Sequence, residues 1–472
     1  MPPTPTQPPR VAVLGGGITG LTAALELNEA EPFVDWKLFD AAPRLGGVLQ
    51  TVDHDGYRVE LSADNFLTRD PWATDLCRRV GLEDELLETD PARRRALVVC
   101  RGRVQRVPSG FVLMSPQKAW PILASPILSL RGKARLAAEP FVPARRDAAD
   151  ESLASFARRR LGTEVYQRLV QPLVAGIYTA DPEKLSLRAT LPQFLQQEAE
   201  HGSLTRAALK AKRTRERNES GARYSQFVAP RLGMQQLVDA IRDRLPQNRV
   251  ETGVRVDNCE PTVGGRWRLL DDAGQSLGLF DGVVVTLPAK HAAQAVRAAN
   301  EKLASELASI EYAGASVVCF GVKQEQITRP IDGFGFVVPA IERRRLIAAS
   351  FASYKFPGRA PDGRVLVRVF VGGALQPELA ELDDEQLAML ARQELADLVG
   401  LEGEPETTRV VRWPGAMPQY HVGHLDRVER IEALTQDHPG LELAGAAYRG
   451  VGIPQCVRSA QSAVERLLSK LR

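Results

Sequence analysis

The stretch VAVLGGGITGLTAALEL, residues 11–27, decides how the chain is read. A short apolar run leads into Gly15, Gly17 and Gly20 in the GxGxxG spacing, and a helical pattern comes next. In such a turn Gly15 permits the tight bend from strand to helix. Gly17 carries no Cβ to keep the backbone off a pyrophosphate, and Gly20 lets helix and strand pack closely. The N–H groups around Gly16, Gly17, Ile18, Thr19 and Gly20, together with the positive helix end, are placed to hold phosphate charge. A second strand, DWKLFD (35–40), ends in Asp40, where a carboxylate binds the ribose hydroxyls of an adenosine. The segment reads as a dinucleotide cradle, with a plain structural turn as the bland alternative.

The residues immediately after Asp40 separate the dinucleotides. FDAAPRLGGVLQT (39–51) places Arg44 and then Gly46-Gly47 directly after the ribose-binding acid. A flavin cofactor needs close backbone approach along its diphosphate and ribityl chain, and Arg44 offers a fixed cation for that diphosphate. The combination favours FAD over NAD; a surface arginine beside an ordinary turn is the competing account.

Composition sets outer bounds. With 472 residues, 44% hydrophobic and 25% charged, the chain has length for two or three domains, and a net charge of +3 gives no argument for nucleic acid. Arg206, Lys210, Lys212, Arg213, Arg215 and Arg217 form a basic cluster without interleaved aromatics, read as a solvated face or, less simply, as contact with anionic lipid. Cys77, Cys100, Cys259, Cys319 and Cys456 are scattered, with no metal-ligand spacing, so reduced cytoplasmic thiols and no metal are expected. MPPTPTQPPR reads as a disordered leader rather than a signal peptide, and no run of eighteen apolar residues could span a membrane.

Helical patterns over 74–90, 151–171 and 188–212 surround an apolar, proline-broken stretch at 111–133, read either as core or as an exposed rim facing a bilayer or a greasy substrate. Residues 223–245 read as a glycine turn and helix, and 249–259 as a strand. Residues 312–373 alternate as strands of a second sheet, and 441–471 read as strand, glycine loop and helix. The expected architecture is α/β. It has a discontinuous Rossmann-type FAD-binding domain (10–73, 224–298 and 435–472), an inserted helical domain (74–223) that faces a membrane or a substrate entrance, and a mixed-sheet substrate domain (299–434).

The cradle, Arg44-Leu45-Gly46-Gly47 and the C-terminal glycine unit together resemble the FAD-dependent amine-oxidase-like superfamily. RLVQPLVAGIYTADPEKLSLRA (168–189), RLGMQQL (231–237), SFASYKFPGRAP (350–361), MPQYHVGH (417–424) and AYRGVGIPQC (447–456) resemble segments of its oxygen-dependent protoporphyrinogen and coproporphyrinogen oxidase branch. The resemblance implies FAD contacts at Gly15 through Gly20, Asp40, Ala41, Arg44, Gly47 and Val48. It implies others at Ser62, Ala63, Asp64, Asn65, Val256, Trp413, Ala446, Val451, Gly452 and Ile453. Asp40 stands where the family usually has Glu, and Ser62-Ala63 where it often has Gly-Pro. On the substrate side the resemblance implies backbone approach to the macrocycle at Gly176 and ring stacking by Phe351; Arg95 is the candidate propionate partner, next to the family's arginine position at Ala96.

The implied reaction is a six-electron oxidation of a porphyrinogen to the porphyrin of the haem pathway, in three flavin cycles, with molecular oxygen reduced to hydrogen peroxide. The flavin does the chemistry, so no side-chain acid or base is expected, and His291, His421 and His424 read as surface or structural histidines. Implied partners are the porphyrinogen, molecular oxygen, a downstream chelatase and, peripherally, the inner face of the cell membrane. Protoporphyrinogen and coproporphyrinogen stay undistinguished. An amine oxidase, a carotenoid desaturase and a flavin or porphyrin carrier without turnover are the alternatives.

Overall fold

A computed structural model describes residues 8–145, 147, 149–215, 227–329 and 331–471. The proline-rich first residues and Arg217 of the basic cluster lie outside them. The glycine stretch enters the centre of a five-stranded parallel sheet, ordered Val250–Thr252, Asp35–Asp40, Arg10–Leu14, Gly282–Val285, Leu441–Leu443. Register runs Val13 beside Leu38 on one side and Val284 on the other. Strands such as GVVV are buried throughout because both faces are covered. On one face Val11, Val13 and Val284 pack against helices Ile18–Glu29, Met234–Arg242 and Ile453–Leu471. On the other, Ala12, Leu14, Val283 and Val285 meet helices Ala289–Val296, Glu301–Ala308 and His424–Gln436. Three far-apart parts of the chain thus build one sheet.

A seven-stranded sheet runs in the order Thr407–Pro418, Tyr312–Lys323, Arg364–Gly372, Ala348–Phe351, Gly335–Val337, Leu97–Cys100, Arg103–Arg106. Its pairings are antiparallel except that of Gly335–Val337 with Leu97–Cys100. One face carries Val318, Phe336, Phe351, Val367 and Val369 against helix Asp384–Val399. The opposite face looks toward the hairpin Thr51–Glu60 and the helical part of the molecule.

Two expectations from the sequence do not hold in the fold. Residues 97–106 are strands of this sheet, so the segment 74–223 is not one helical unit; the hairpin is short and its neighbours in the sheet come from more than 200 residues away. Residues 249–259 form two strands in different sheets, because Gly253, at φ +75°, breaks the run. The apolar stretch at 111–133 divides: Phe111, Met114, Ile122, Ile127 and Leu128 are core, whereas Trp120 is 78% and Leu130 is 83% exposed. Among the described residues no helix is long and apolar enough to cross a membrane, and all five cysteines are buried and unpaired.

The helices are tied together by a buried ion pair. Arg160 and Glu139 are wholly inaccessible, and Glu139 also accepts from Ser203 Oγ (2.6 Å), Leu204 N–H (2.9 Å) and Thr205 N–H (3.0 Å), capping helix Leu204–Arg215. Burial alone would raise this carboxyl; the bonds from Ser203, Thr205 and Arg160 overcome it and hold it below its ordinary value. Arg160 also reaches Glu198 (3.2 Å), so Glu139→Ala leaves it one carboxylate partner but strips the cap of helix Leu204–Arg215, and should destabilise the protein by about 2–3 kcal/mol. Urea denaturation tracked by far-UV circular dichroism measures this, and a wild-type midpoint would contradict the assignment.

Candidate flavin and substrate site

The three cradle glycines do different jobs. Gly15 turns at φ +101°. A Cβ on Gly20 would stand 1.7 Å from the Gly15 carbonyl oxygen, so only glycine lets the helix meet the turn. A Cβ on Gly17 would meet nothing within 4 Å, which leaves its backbone facing open space. Helix Ile18–Glu29 has no side-chain cap and no acidic residue in its first turn, so its leading N–H groups and positive end face that space undischarged. This is the geometry a diphosphate requires, and the residues fit a flavin dinucleotide.

Asp40 takes its place beside the turn. Its Oδ2 accepts from Gly16 N–H and its Oδ1 from Ala42 N–H (2.7 Å), which fixes the carboxylate at the turn with lone pairs to spare for ribose. Gly253 and Val254, just before Val256, donate to the Ala42 and Asp40 carbonyls, each at 3.0 Å. Arg44 donates to the carbonyls of Leu45 (2.9 Å), Leu49 (3.2 Å) and Gly47 (2.5 Å). It therefore pins the Gly46-Gly47-Val48 turn against Gly17, with Gly46 N–H on the Gly16 carbonyl at 2.7 Å.

The loop Ser62-Ala63-Asp64-Asn65 is held on every side. Ser62 Oγ donates to the Val48 carbonyl (2.5 Å), and Trp413 Nε1 donates to the Leu61 carbonyl (2.7 Å). Asp64 is buried against Lys355 Nζ (3.0 Å to each oxygen) and Arg368 Nη1 (3.1 Å), while Arg368 also donates to the Ser62 carbonyl. Burial would raise the Asp64 carboxyl, but Lys355 and Arg368 outweigh it and bring it down to about 2. Ala446, Val451, Gly452 and Ile453 lie on the loop joining strand Leu441–Leu443 to helix Ile453–Leu471, whose Gly445 N–H bonds Ser459 Oγ at 3.0 Å.

Strand register sorts the substrate candidates. Gly176 is exposed at the end of helix Gln171–Tyr178, and a Cβ there would reach Val337 at 3.2 Å. Val337 pairs with Val98 and Ala348, and Ala348 with Phe370, so these residues share the sheet face toward Gly176. Phe351 does not. It is fully inaccessible, pairs with Val367, and stacks on Tyr354 at 5.4 Å in the core of the opposite face, so it has no free face for a pyrrole. Phe370, half-buried beside Arg368, is the aromatic on the correct side.

Arg95 also belongs elsewhere. It shares Asp332 with Arg106, and Arg106 lies opposite Leu97, on the face away from Gly176. A cation near this helix end is Arg69, largely exposed and ion-paired with Asp70 (3.3 Å); it is near enough to Tyr178 to act on the hydroxyl, which burial still pushes up to about 12. Arg368 and Phe370 share the non-valine positions of the alternating strand RVLVRVFVGG (364–373) with Arg364 and Leu366, a pattern that shows two faces but not which one meets the site, and Arg69 had no signal beyond its nearness to Asn65.

A chain folded around such a turn and loop carries a site that fits a flavin dinucleotide. Residues 18–468 match the family described as flavin containing amine oxidoreductase, and the chain belongs to that family. It is similar to coproporphyrinogen III oxidase of Bacillus subtilis (strain 168), with 35% identity over 470 residues covering 98% of each chain. It is also similar to chloroplastic protoporphyrinogen oxidase of Nicotiana tabacum, with 29% identity over 95% of this chain and 83% of the relative. A crystal structure of a protein from Exiguobacterium sp. 255-15 superposes with a TM-score of 0.85 at 30% identity, covering 97% of this chain and 98% of that one. Cyclohexylamine oxidase from Brevibacterium oxydans IH-35A shares the fold at a TM-score of 0.72 and 17% identity, covering 98% of this chain and 99% of that one.

The glycines make a discriminating pair. Gly17→Ala, at φ −70°, should fold as the wild type yet weaken FAD binding at least about tenfold, because the methyl group enters the phosphate space. Gly20→Ala should lower both stability and FAD content. Titrating the refolded apoproteins with FAD separates the two; full-affinity binding by Gly17→Ala would contradict the cradle.

Proposed function

We propose that this protein is an FAD-dependent porphyrinogen oxidase of haem biosynthesis that acts on coproporphyrinogen III, with molecular oxygen as acceptor. The observation that carries the substrate is the full-length likeness to the Bacillus subtilis enzyme. The parallel sheet with its glycine turn is the Rossmann-type FAD domain, assembled from 10–73, 224–298 and 435–472. The seven-stranded sheet of 299–434, completed by 97–106, walls the substrate.

Bound FAD supplies the hydride acceptor. Gly15 through Gly20, Asp40, Ala41, Arg44, Gly47, Val48 and Val256 would hold its adenosine and diphosphate. Ser62, Ala63, Asp64, Asn65, Trp413, Ala446, Val451, Gly452 and Ile453 would hold its ring end. A porphyrinogen is an electron-rich macrocycle with anionic arms, so the protein must supply a close-fitting wall and cations rather than an acid or base. Gly176, Val337, Ala348 and Phe370 offer the wall. Arg69 offers a guanidinium for a propionate in place of Arg95. Initial rates of porphyrin fluorescence on the two porphyrinogens should favour coproporphyrinogen III, and Arg69→Ala should raise its KM about tenfold with little change in kcat. A preference for protoporphyrinogen IX would reassign the substrate, and an unchanged KM would remove Arg69.

The exposed Trp120, Leu123, Leu130 and Phe141 lie on consecutive helices and a turn at 119–141, beside the exposed Arg131. We read this apolar and basic patch as a peripheral contact with an anionic bilayer. Trp120→Ser with Leu130→Ser should abolish most co-sedimentation with phosphatidylglycerol vesicles; equal sedimentation of variant and wild type would refute it.

A further inference from the structure

The segment MPQYHVGH (417–424) lies between two regions that must keep a fixed relation: the loop 445–453 and the chain just beyond Gly176. Tyr420, 2% exposed, donates its hydroxyl to the Ala446 carbonyl (2.6 Å) and accepts from Gly450 N–H (2.8 Å). It thereby closes the loop across its base. The His424 ring is inaccessible and stacks on Tyr420 with centroids 3.9 Å apart and planes 12° apart. Its Nε2 contacts the Tyr448 carbonyl at 2.8 Å. A carbonyl can only accept, so Nε2 carries the hydrogen; burial keeps the ring neutral, down to about 4. Three backbone groups of one short loop are thus held by two stacked side chains.

The backbone of the same segment grips the other region. The Tyr420 carbonyl accepts from Ser186 N–H (2.7 Å), Val422 N–H donates to the Lys184 carbonyl (2.8 Å), and His421 bridges Leu185. Residues 184–186 come shortly after helix Gln171–Tyr178, which carries Gly176. We infer that Tyr420 and His424 are positioning residues that brace the flavin-end loop 445–453 against the chain that follows the Gly176 helix, so that flavin and macrocycle keep a fixed separation. The inference rests on the proposed flavin site. Neither side chain needs to touch substrate. A brace of this kind acts on geometry, to which positioned reactions are sensitive at the scale of an ångström.

Apoprotein reconstitution tests it. Tyr420→Phe keeps the ring and the stack but loses both hydroxyl bonds, and should raise the FAD dissociation constant about tenfold. It should also alter the visible band shape and fluorescence quenching of the bound flavin. His424→Leu should do the same, and His424→Gln should restore the wild-type spectrum because its amide N–H reaches the Tyr448 carbonyl. Far-UV circular dichroism of each apoprotein confirms folding. Wild-type affinity and spectrum in folded Tyr420→Phe and His424→Leu would overturn the brace, as would a lowered melting temperature with no change in flavin signals. A wild-type apoprotein that takes up no FAD would overturn the flavin reading and the brace with it.

Discussion

The contact between Gly20 and the Gly15 carbonyl oxygen governs the rest of the molecule. There is no room for a side-chain atom between them, so helix Ile18–Glu29 lies directly on the turn and points its uncapped N-terminus at the open space beside Gly17. Everything that defines a cofactor site is then arranged around that turn. Asp40 reaches Gly16 from the next strand, Gly46 bonds the Gly16 carbonyl, and Gly445 approaches Thr19 from the far end of the chain. Strands from three distant segments converge in this parallel sheet, and helices cover both of its faces.

A second constraint joins this site to the substrate wall. The seven-stranded sheet places Arg368, fully buried, on the face that looks toward the flavin loop, where it and Lys355 hold Asp64. Burying a carboxylate is costly unless cations surround it, and two do so here. The loop 62–65 is therefore fixed by electrostatics from the sheet, by Trp413 from the same face, and by Ser62 on Val48 from the cradle. Arg359, also inaccessible, adds its bonds to the Pro230 and Arg231 carbonyls (both 2.9 Å) and ties the FPGRAP segment to the strand before helix Met234–Arg242.

The cradle was legible in the sequence because its determinants are local: three glycines of turn between a strand and a helix, and one acid at the end of the second strand. The substrate wall was not, because a side chain's face depends on register rather than on motif. Phe351 and Phe370 are both aromatic, both on strands, and nineteen positions apart, yet pairing with Val367 sends one into the core and pairing with Val317 and Ala348 turns the other toward Gly176. Arg95 failed for the same reason: two residues before Leu97, it falls on the side of the sheet away from Gly176 and meets Asp332. The membership of residues 97–106 in the sheet was hidden as well. A short hairpin carries little periodicity of its own, and its partner at Gly335–Val337 is distant in the chain.

The proposed function requires the bound flavin to accept hydrogen from a porphyrinogen. Anaerobic stopped-flow mixing of the FAD-loaded protein with coproporphyrinogen III tests it without dependence on oxygen. The flavin should lose its oxidised absorbance within the turnover time and regain it when oxygen is admitted. Flavin that stays oxidised in contact with the porphyrinogen would contradict the claim.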